Sequence, residues 1–175
     1  LRKAVYNGHP DGHPTLIEHV KKCVERGVYD GGIVSRYTDE EWEKLDSYID
    51  HDRDYLFTYA GMRQVADKYL VQCRTTGEVY ETPQFMYMMV AATLFQDDDK
   101  FYRLDYVKKY YDAISKHRLN IPTPIMAGVR TPLRQFASCV LVDVDDTLDS
   151  IFSSDMAIGK YVAQRAGIGI NAGRI

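Results

Sequence analysis

A cysteine, a run of aspartates and a pair of spaced glycines are the residues of this chain whose types and spacing could do chemistry. Asp143-Val144-Asp145-Asp146-Thr147-Leu148 follows the apolar run Cys139-Val140-Leu141-Val142. Carboxylates two positions apart at the end of an apolar strand suit phosphoryl transfer. In such chemistry one carboxylate could attack phosphorus while another serves as general acid and base, with Mg²⁺ holding the phosphate. That chemistry also needs a later hydroxyl, a lysine and further acids on successive strands, and only 28 residues follow Thr147. The plainer reading is a strand end leading into an Asp/Thr-rich helix cap. Gly167-Ile168-Gly169-Ile170-Asn171-Ala172 has the G-x-G-x-x-A spacing, which cradles a dinucleotide only between a strand and a helix. A helix is expected before it here, so close backbone packing is the plainer reading. Cys139 stands beside Ser138 in a strand-like run, where an inert core thiol competes with a reactive one. Cys23, on a helix stripe, and Cys73, at a hairpin, read as structural. His9 and His13 share a loop with no third ligand, and His51, among Asp50, Asp52 and Asp54, reads as a cap or ion-pair residue. No metal site is expected.

Those residues need elements to hold them. With 175 residues, 45% hydrophobic and 27% charged, the chain is too apolar for a disordered tail. No apolar run approaches the ~18 residues of a membrane span. A net charge of −3 offers no basic footprint for nucleic acid. Three cysteines without a CxxC argue against a disulfide framework and for a reducing compartment, the cytoplasm by default. Leu1 is not Met, and Gly173-Arg174-Ile175 stops inside an apparent motif, so the chain reads as a piece.

Helices are expected from Thr15, with Glu18 completing a capping box and Gly27 ending it, and from Thr38, with Glu41. Further helices are expected over about 55–69, 84–95 and 101–116, with a hairpin around Thr75-Thr76-Gly77 and a Tyr/Met-rich run (85–89) in the core. Ile121 to Met126 is expected to be non-helical because of Pro122 and Pro124. Ala137 to Val144 reads as a strand buried on both faces, Asp149 to Arg165 as a helix and Ala166 to Ile175 as a Gly-rich strand. The fold class is α/β overall, mostly α in the first two-thirds.

Long stretches resemble one family, the large (α, R1) subunit of class I ribonucleotide reductase. They include Tyr48-Ile49-Asp50-His51-Asp52-Arg53-Asp54, Thr76-Gly77-Glu78-Val79-Tyr80-Glu81 and the run from Pro122 to Pro132. Arg134-Gln135-Phe136-Ala137-Ser138-Cys139-Val140-Leu141, Leu148-Asp149-Ser150-Ile151 and Gln164 to Ile175 complete them. The resemblance implies a helical domain over 1–121 and, over 122–175, the first strand, helix and strand of a ten-stranded α/β barrel. It implies reduction of ribonucleoside diphosphates to deoxyribonucleotides by thiyl-radical chemistry. Cys139 is similar in position to one of two redox-active cysteines. Thr123, Ser138, Cys139, Ala166 and Gly167 match substrate-contacting positions. Asp146, Thr147 and Leu148 match the loop that binds the specificity effector, a deoxynucleoside triphosphate or ATP; Thr147 stands where the family often has Ser. The helix over 149–165 matches one that pairs across a large-subunit dimer.

The implied partners are the remaining C-terminal part of the large subunit, a dimer partner, the metal-containing small (β, R2) subunit that supplies the radical, and thioredoxin or glutaredoxin as external dithiol. No membrane or nucleic acid is implied. The radical-carrying cysteine and the partner of Cys139 lie outside this sequence, so the chain alone is not expected to turn over. Two other readings remain: a non-catalytic dimerisation or nucleotide-sensing module, and a haloacid-dehalogenase-like phosphatase using Asp143.

Overall fold

Local capping chemistry sets the first helices. The computed structural model describes residues 1–133, 135–164 and 166–175. Arg134 and Arg165, which fall in stretches that carry the resemblance, lie outside the described residues. A short turn of helix, α1 (Arg2–Val5), precedes α2 (Leu16–Glu25). Thr15 and Glu18 close a reciprocal capping box at the start of α2, satisfying two backbone donors that the helix cannot. At its end Gly27 takes φ +68°. The Val28 amide reaches the Cys23 carbonyl (3.0 Å) and the Gly27 amide the Val24 carbonyl (2.9 Å), the paired bonds of a Schellman stop. A second capping box, Thr38 with Glu41, opens α3 (Asp39–Asp46). Asp39, Glu40 and Glu41 in its first turn suit the positive end of the helix dipole.

His51–Leu56 is a 3-10 turn, and α4 (Tyr59–Lys68) follows it. The helix expected over 55–69 therefore starts later, at the Thr58 cap. The hairpin is reduced to a single antiparallel bridge, Gln72 with Val79. Gly77 turns it at φ +73°. Next, α5 (Pro83–Leu94) opens on a proline at its first turn, and every residue from Pro83 to Ala92 is buried. A helix apolar all round must be enclosed all round. It packs against α6 (Arg103–Ser115), against α7 (Thr123–Gly128) and against the 3-10 turn at His51. The Tyr/Met run is core, as expected.

The helix α7 corrects one expectation. Pro122 and Pro124 do not break it, because they stand at its very start. Pro122 is the residue before the first turn and accepts from the Met126 amide (3.1 Å). Pro124 occupies a position whose N–H would have no helical partner anyway. Both prolines fit a helix beginning at Thr123; they would break one running through them.

The chain forms two compact units, Leu1–Leu133 and Arg134–Ile175. The second contains β1 (Cys139–Asp145), α8 (Leu148–Ala163) and β2 (Gly167–Arg174). The strands pair in parallel, Cys139 opposite Gly167 and Leu141 opposite Gly169, and α8 makes the crossover. A second expectation fails here. β1 is not buried on both faces: Val144 is buried, whereas Cys139, Leu141 and Asp143 are exposed. The alternation is that of a sheet with one covered face. Within this unit α8 packs on both strands and covers the Val140–Val142–Val144 side.

One core residue ties folding to pH. His19 is 2% exposed, stacked on Phe85 at 4.5 Å, with its ring nitrogens near the Tyr6 (3.3 Å) and Tyr29 (3.1 Å) hydroxyls. Burial, reinforced by Arg130, pulls it down to about 3. An imidazole held neutral in the fold but protonated near 6.5 when unfolded stabilises fully above pH 6.5. That contribution is lost as pH falls from 6.5 towards 3, at up to about 1.4 kcal/mol per pH unit. The urea midpoint is expected to fall between pH 6.5 and 4.5, and His19→Gln to flatten that slope. An unchanged slope in the variant would place the acid sensitivity elsewhere.

Candidate functional site

The strand register gathers four of the residues singled out in the sequence. Gly167 donates its amide to the Ser138 carbonyl (3.0 Å) and pairs with Cys139, while Ala166, 8% exposed, precedes it. Ser138, Cys139 and Gly167 are exposed. Cys139 opens the face of the strand pair that α8 leaves uncovered. The two glycines of the G-x-G spacing explain themselves on that face. A Cβ on Gly167 would lie 3.7 Å from Cys139 Sγ and 3.3 Å from the Ser138 carbonyl oxygen. A Cβ on Gly169 would meet Leu141 Cδ2 at 2.7 Å. Gly167 makes room for the Ser138 carbonyl and Gly169 for the Leu141 side chain; both lie within β2.

The opposite end of β1 carries the second group. Asp146, Thr147 and Leu148 form the exposed turn into α8, about 20 Å along the strand from Cys139 at ~3.3 Å per residue. Thr147 caps α8, its hydroxyl accepting from the Ser150 amide (3.2 Å), and its own amide reaches the Asp145 carbonyl (2.8 Å). The Asp145 amide donates to Ser150 Oγ (2.9 Å). The turn is thus pinned by its neighbours. The side chains of Asp143 and Asp145 bond across the sheet to Asn171 (2.9 Å) and Arg174 (3.2 Å), which accounts for both carboxylates without phosphoryl transfer. Thr123 is not part of this gathering. It is the first residue of α7, in the helical unit, and its hydroxyl lies 3.2 Å from the Tyr69 hydroxyl.

Sequence reasoning missed the polar centre of the helical unit. Arg130 and Glu81 form a fully buried ion pair. Arg130 Nε also donates to Glu81 Oε2 (3.1 Å), Nη1 to the Met126 carbonyl (2.6 Å) and Nη2 to the Tyr69 carbonyl (2.9 Å). Glu81 further accepts from the Val71 amide (2.7 Å) and from the Tyr29 hydroxyl. Burial alone would lower the guanidinium, but the Glu81 charge holds it above its ordinary value. The sequence carries no local signal for it: Glu81 stands two residues before Pro83, in a stretch that also holds Glu78.

The remaining residues are placed plainly. Burial pushes the Cys23 thiol up to about 12. Hydrogen bonds from Thr76 bring Cys73 down to about 7. His51 is neither cap nor ion-pair partner: Asp50 caps the 3-10 turn by accepting from the Asp52 amide (3.1 Å). The His51 ring packs against His13 at 3.8 Å and Phe85 at 5.0 Å, and burial holds it down to about 4. The apolar surroundings favour the neutral ring over the charged one that an ion pair needs. Among the described residues no three His, Cys, Asp or Glu converge as metal ligands, and no helix is long and apolar enough to cross a membrane.

Comparison with known proteins agrees with the element pattern. The family described as "Ribonucleotide reductase, all-alpha domain" matches residues 55–134. The chain is 57% identical over all 175 residues to the ribonucleoside-diphosphate reductase subunit alpha of Haemophilus influenzae, spanning 23% of that protein. It is 55% identical, with the same coverage, to the ribonucleoside-diphosphate reductase 1 subunit alpha of Escherichia coli. Identity to the subunit alpha of Enterobacteria phage T4 is 46%, again over the whole chain and 23% of the relative. The chain therefore spans less than a quarter of the length of these relatives. A match of 55–57% identity along all 175 residues, with the all-α domain inside it, makes this chain a member of the ribonucleotide reductase large (α) subunit family.

Proposed function

We propose that this chain is the part of a ribonucleoside-diphosphate reductase large subunit that supplies one redox thiol, several substrate contacts and the specificity-effector turn. One observation carries the reading. The parallel register brings Ser138, Cys139, Ala166 and Gly167, the positions the family resemblance marks as substrate-contacting, to one open end of a strand pair. In this reading β1, α8 and β2 are the first strand, helix and strand of a ten-stranded barrel. The helical domain is assigned to 1–121 and the start of the barrel to 122–175, with 122–133, including α7, packing within the compact helical unit. Thr123, Ser138, Ala166 and Gly167 contact the ribonucleoside diphosphate through hydroxyl donors and close backbone, which add hydrogen bonds without bulk.

Cys139 and a second cysteine outside this chain give up two electrons and two protons. The ribose 2′-hydroxyl leaves as water, the sugar is reduced, and the thiols become a disulfide that thioredoxin or glutaredoxin reopens. The small subunit supplies the radical. Exposed Leu148, Phe152 and Met156 (70%, 67% and 59%) recur every four residues on α8, a stripe that supports pairing with a second large subunit.

The effector assignment has its own test. Asp146 is exposed, whereas the turn around it is held by Thr147 and Ser150, so Asp146→Ala leaves the turn in place. In a full-length subunit carrying this segment, the change in substrate preference caused by dTTP is expected to shrink at least about fivefold, the low end of a typical allosteric coupling. Reduction ratios measured with and without effector check this, and unchanged ratios would remove Asp146 from the effector site.

A further inference from the structure

We infer that Tyr69 is a positioning residue for substrate binding, acting through its hydrogen bond to Thr123. The inference rests on the proposed contact between Thr123 and the substrate. Thr123 Oγ1 lies 3.2 Å from the Tyr69 hydroxyl, across 54 residues of sequence. Among the described residues the Thr123 hydroxyl has no other hydrogen-bond partner. A threonine inside a helix commonly turns its hydroxyl back to a carbonyl one turn earlier. Thr123 is the first residue of α7, so no preceding helical turn exists to take that proton.

A hydroxyl has one proton and two lone pairs. Either hydroxyl can donate in this pair; with Tyr69 taken as the donor into Oγ1, the Thr123 proton is left for a ligand, and an anionic diphosphate oxygen is the acceptor that uses such a donor best. Donation from one hydroxyl also polarises the next, which strengthens the outgoing bond.

The geometry is held from behind. Arg130 Nη2 donates to the Tyr69 carbonyl (2.9 Å), while its Nη1 donates to the Met126 carbonyl one turn along α7 from Thr123 (2.6 Å). One guanidinium thus ties the Tyr69 backbone to the helix that carries Thr123, and Glu81 fixes the guanidinium. Tyr69 is further set by its own amide, which caps α4 on the Val65 carbonyl (3.0 Å). The donor is therefore placed before substrate arrives, and its ordering costs nothing at the moment of binding.

A double-mutant cycle in a full-length large subunit, assayed with its small subunit, tests this. Tyr69→Phe, which removes one oxygen, is expected to raise KM for the ribonucleoside diphosphate about fivefold and leave kcat within about twofold, with an unchanged thermal midpoint. Thr123→Val is expected to raise KM by at least as much. Adding Tyr69→Phe to Thr123→Val is expected to change nothing further, whereas adding it to Thr123→Ser, which keeps the acceptor oxygen, is expected to reproduce the fivefold effect. If Thr123→Val raises KM and Tyr69→Phe is silent or simply multiplies with it, the positioning role is overturned and the substrate contact stands. If Thr123→Val is itself silent, the substrate contact fails and the inference falls with it.

Discussion

Cys139→Ser in a full-length large subunit, assembled with its radical-generating partner, is expected to abolish multiple turnover with a dithiol reductant. Each cycle of the proposed reaction removes two electrons from a cysteine pair, and serine cannot enter a disulfide. The substitution is nearly isosteric. Cys139 Sγ lies on the open face of β1 above Gly167, so the strand register has no reason to change. The steady-state rate is expected to fall at least about 100-fold, corresponding to ~2.7 kcal/mol in apparent barrier. Deoxynucleotide formed per subunit, followed over time, checks this. Turnover at the parent rate would take Cys139 out of the redox pair and leave the chain's role to its helical unit and effector turn.

The second large effect is on stability. Arg130→Met leaves the Glu81 carboxylate buried without its cation, and breaking a buried pair from one side costs about 3–5 kcal/mol. Glu81→Leu is expected to cost a similar amount, because the guanidinium then loses its counter-charge and two of its hydrogen bonds. The double variant is expected to be less damaged than the sum, since no uncompensated charge remains. Urea unfolding of the four proteins reads this directly. Additive losses would mean that the two side chains act separately, through their bonds to Met126, Tyr69 and Val71.

How much of this was legible in the sequence follows from distance along the chain. The Thr15/Glu18 and Thr38/Glu41 boxes and the Gly27 stop are local, closed within a few residues, and they were read correctly. The core reading of α5 holds as well, because the run from Phe85 to Ala92 is hydrophobic at every position and can only be enclosed. The α7 helix is not legible from its prolines alone, because a proline breaks a helix interior but fits the first turn, where Pro124 stands. The Arg130–Glu81 pair escaped because its members are 49 residues apart, and nothing local marks a charge that will be buried. The opposite error affected β1, where continuous apolar sequence implied two covered faces and the structure covers only one.

For the candidate site, the sequence motifs most like chemistry, D-x-D and G-x-G, serve sheet construction: cross-strand bonds at Asp143 and Asp145, room for the Ser138 carbonyl at Gly167 and for the Leu141 side chain at Gly169. Apart from Thr123 in α7, the residues proposed for substrate and effector stand beside them on the same frame. Their grouping at two ends of β1 depends on a parallel register that no local signal specifies.

The enclosure of α5 has a consequence for how the helical unit comes apart. Its neighbours α6, α7 and the 3-10 turn at His51 all rest on the same ten buried residues, Pro83 to Ala92. None of them can leave without exposing apolar surface that the others also need, and α5 itself cannot leave while they remain. Such a unit has few stable half-open states: fraying is confined to its rim, and loss of the centre is loss of the whole. A helix with no outer face therefore acts as the element that makes unfolding all-or-none.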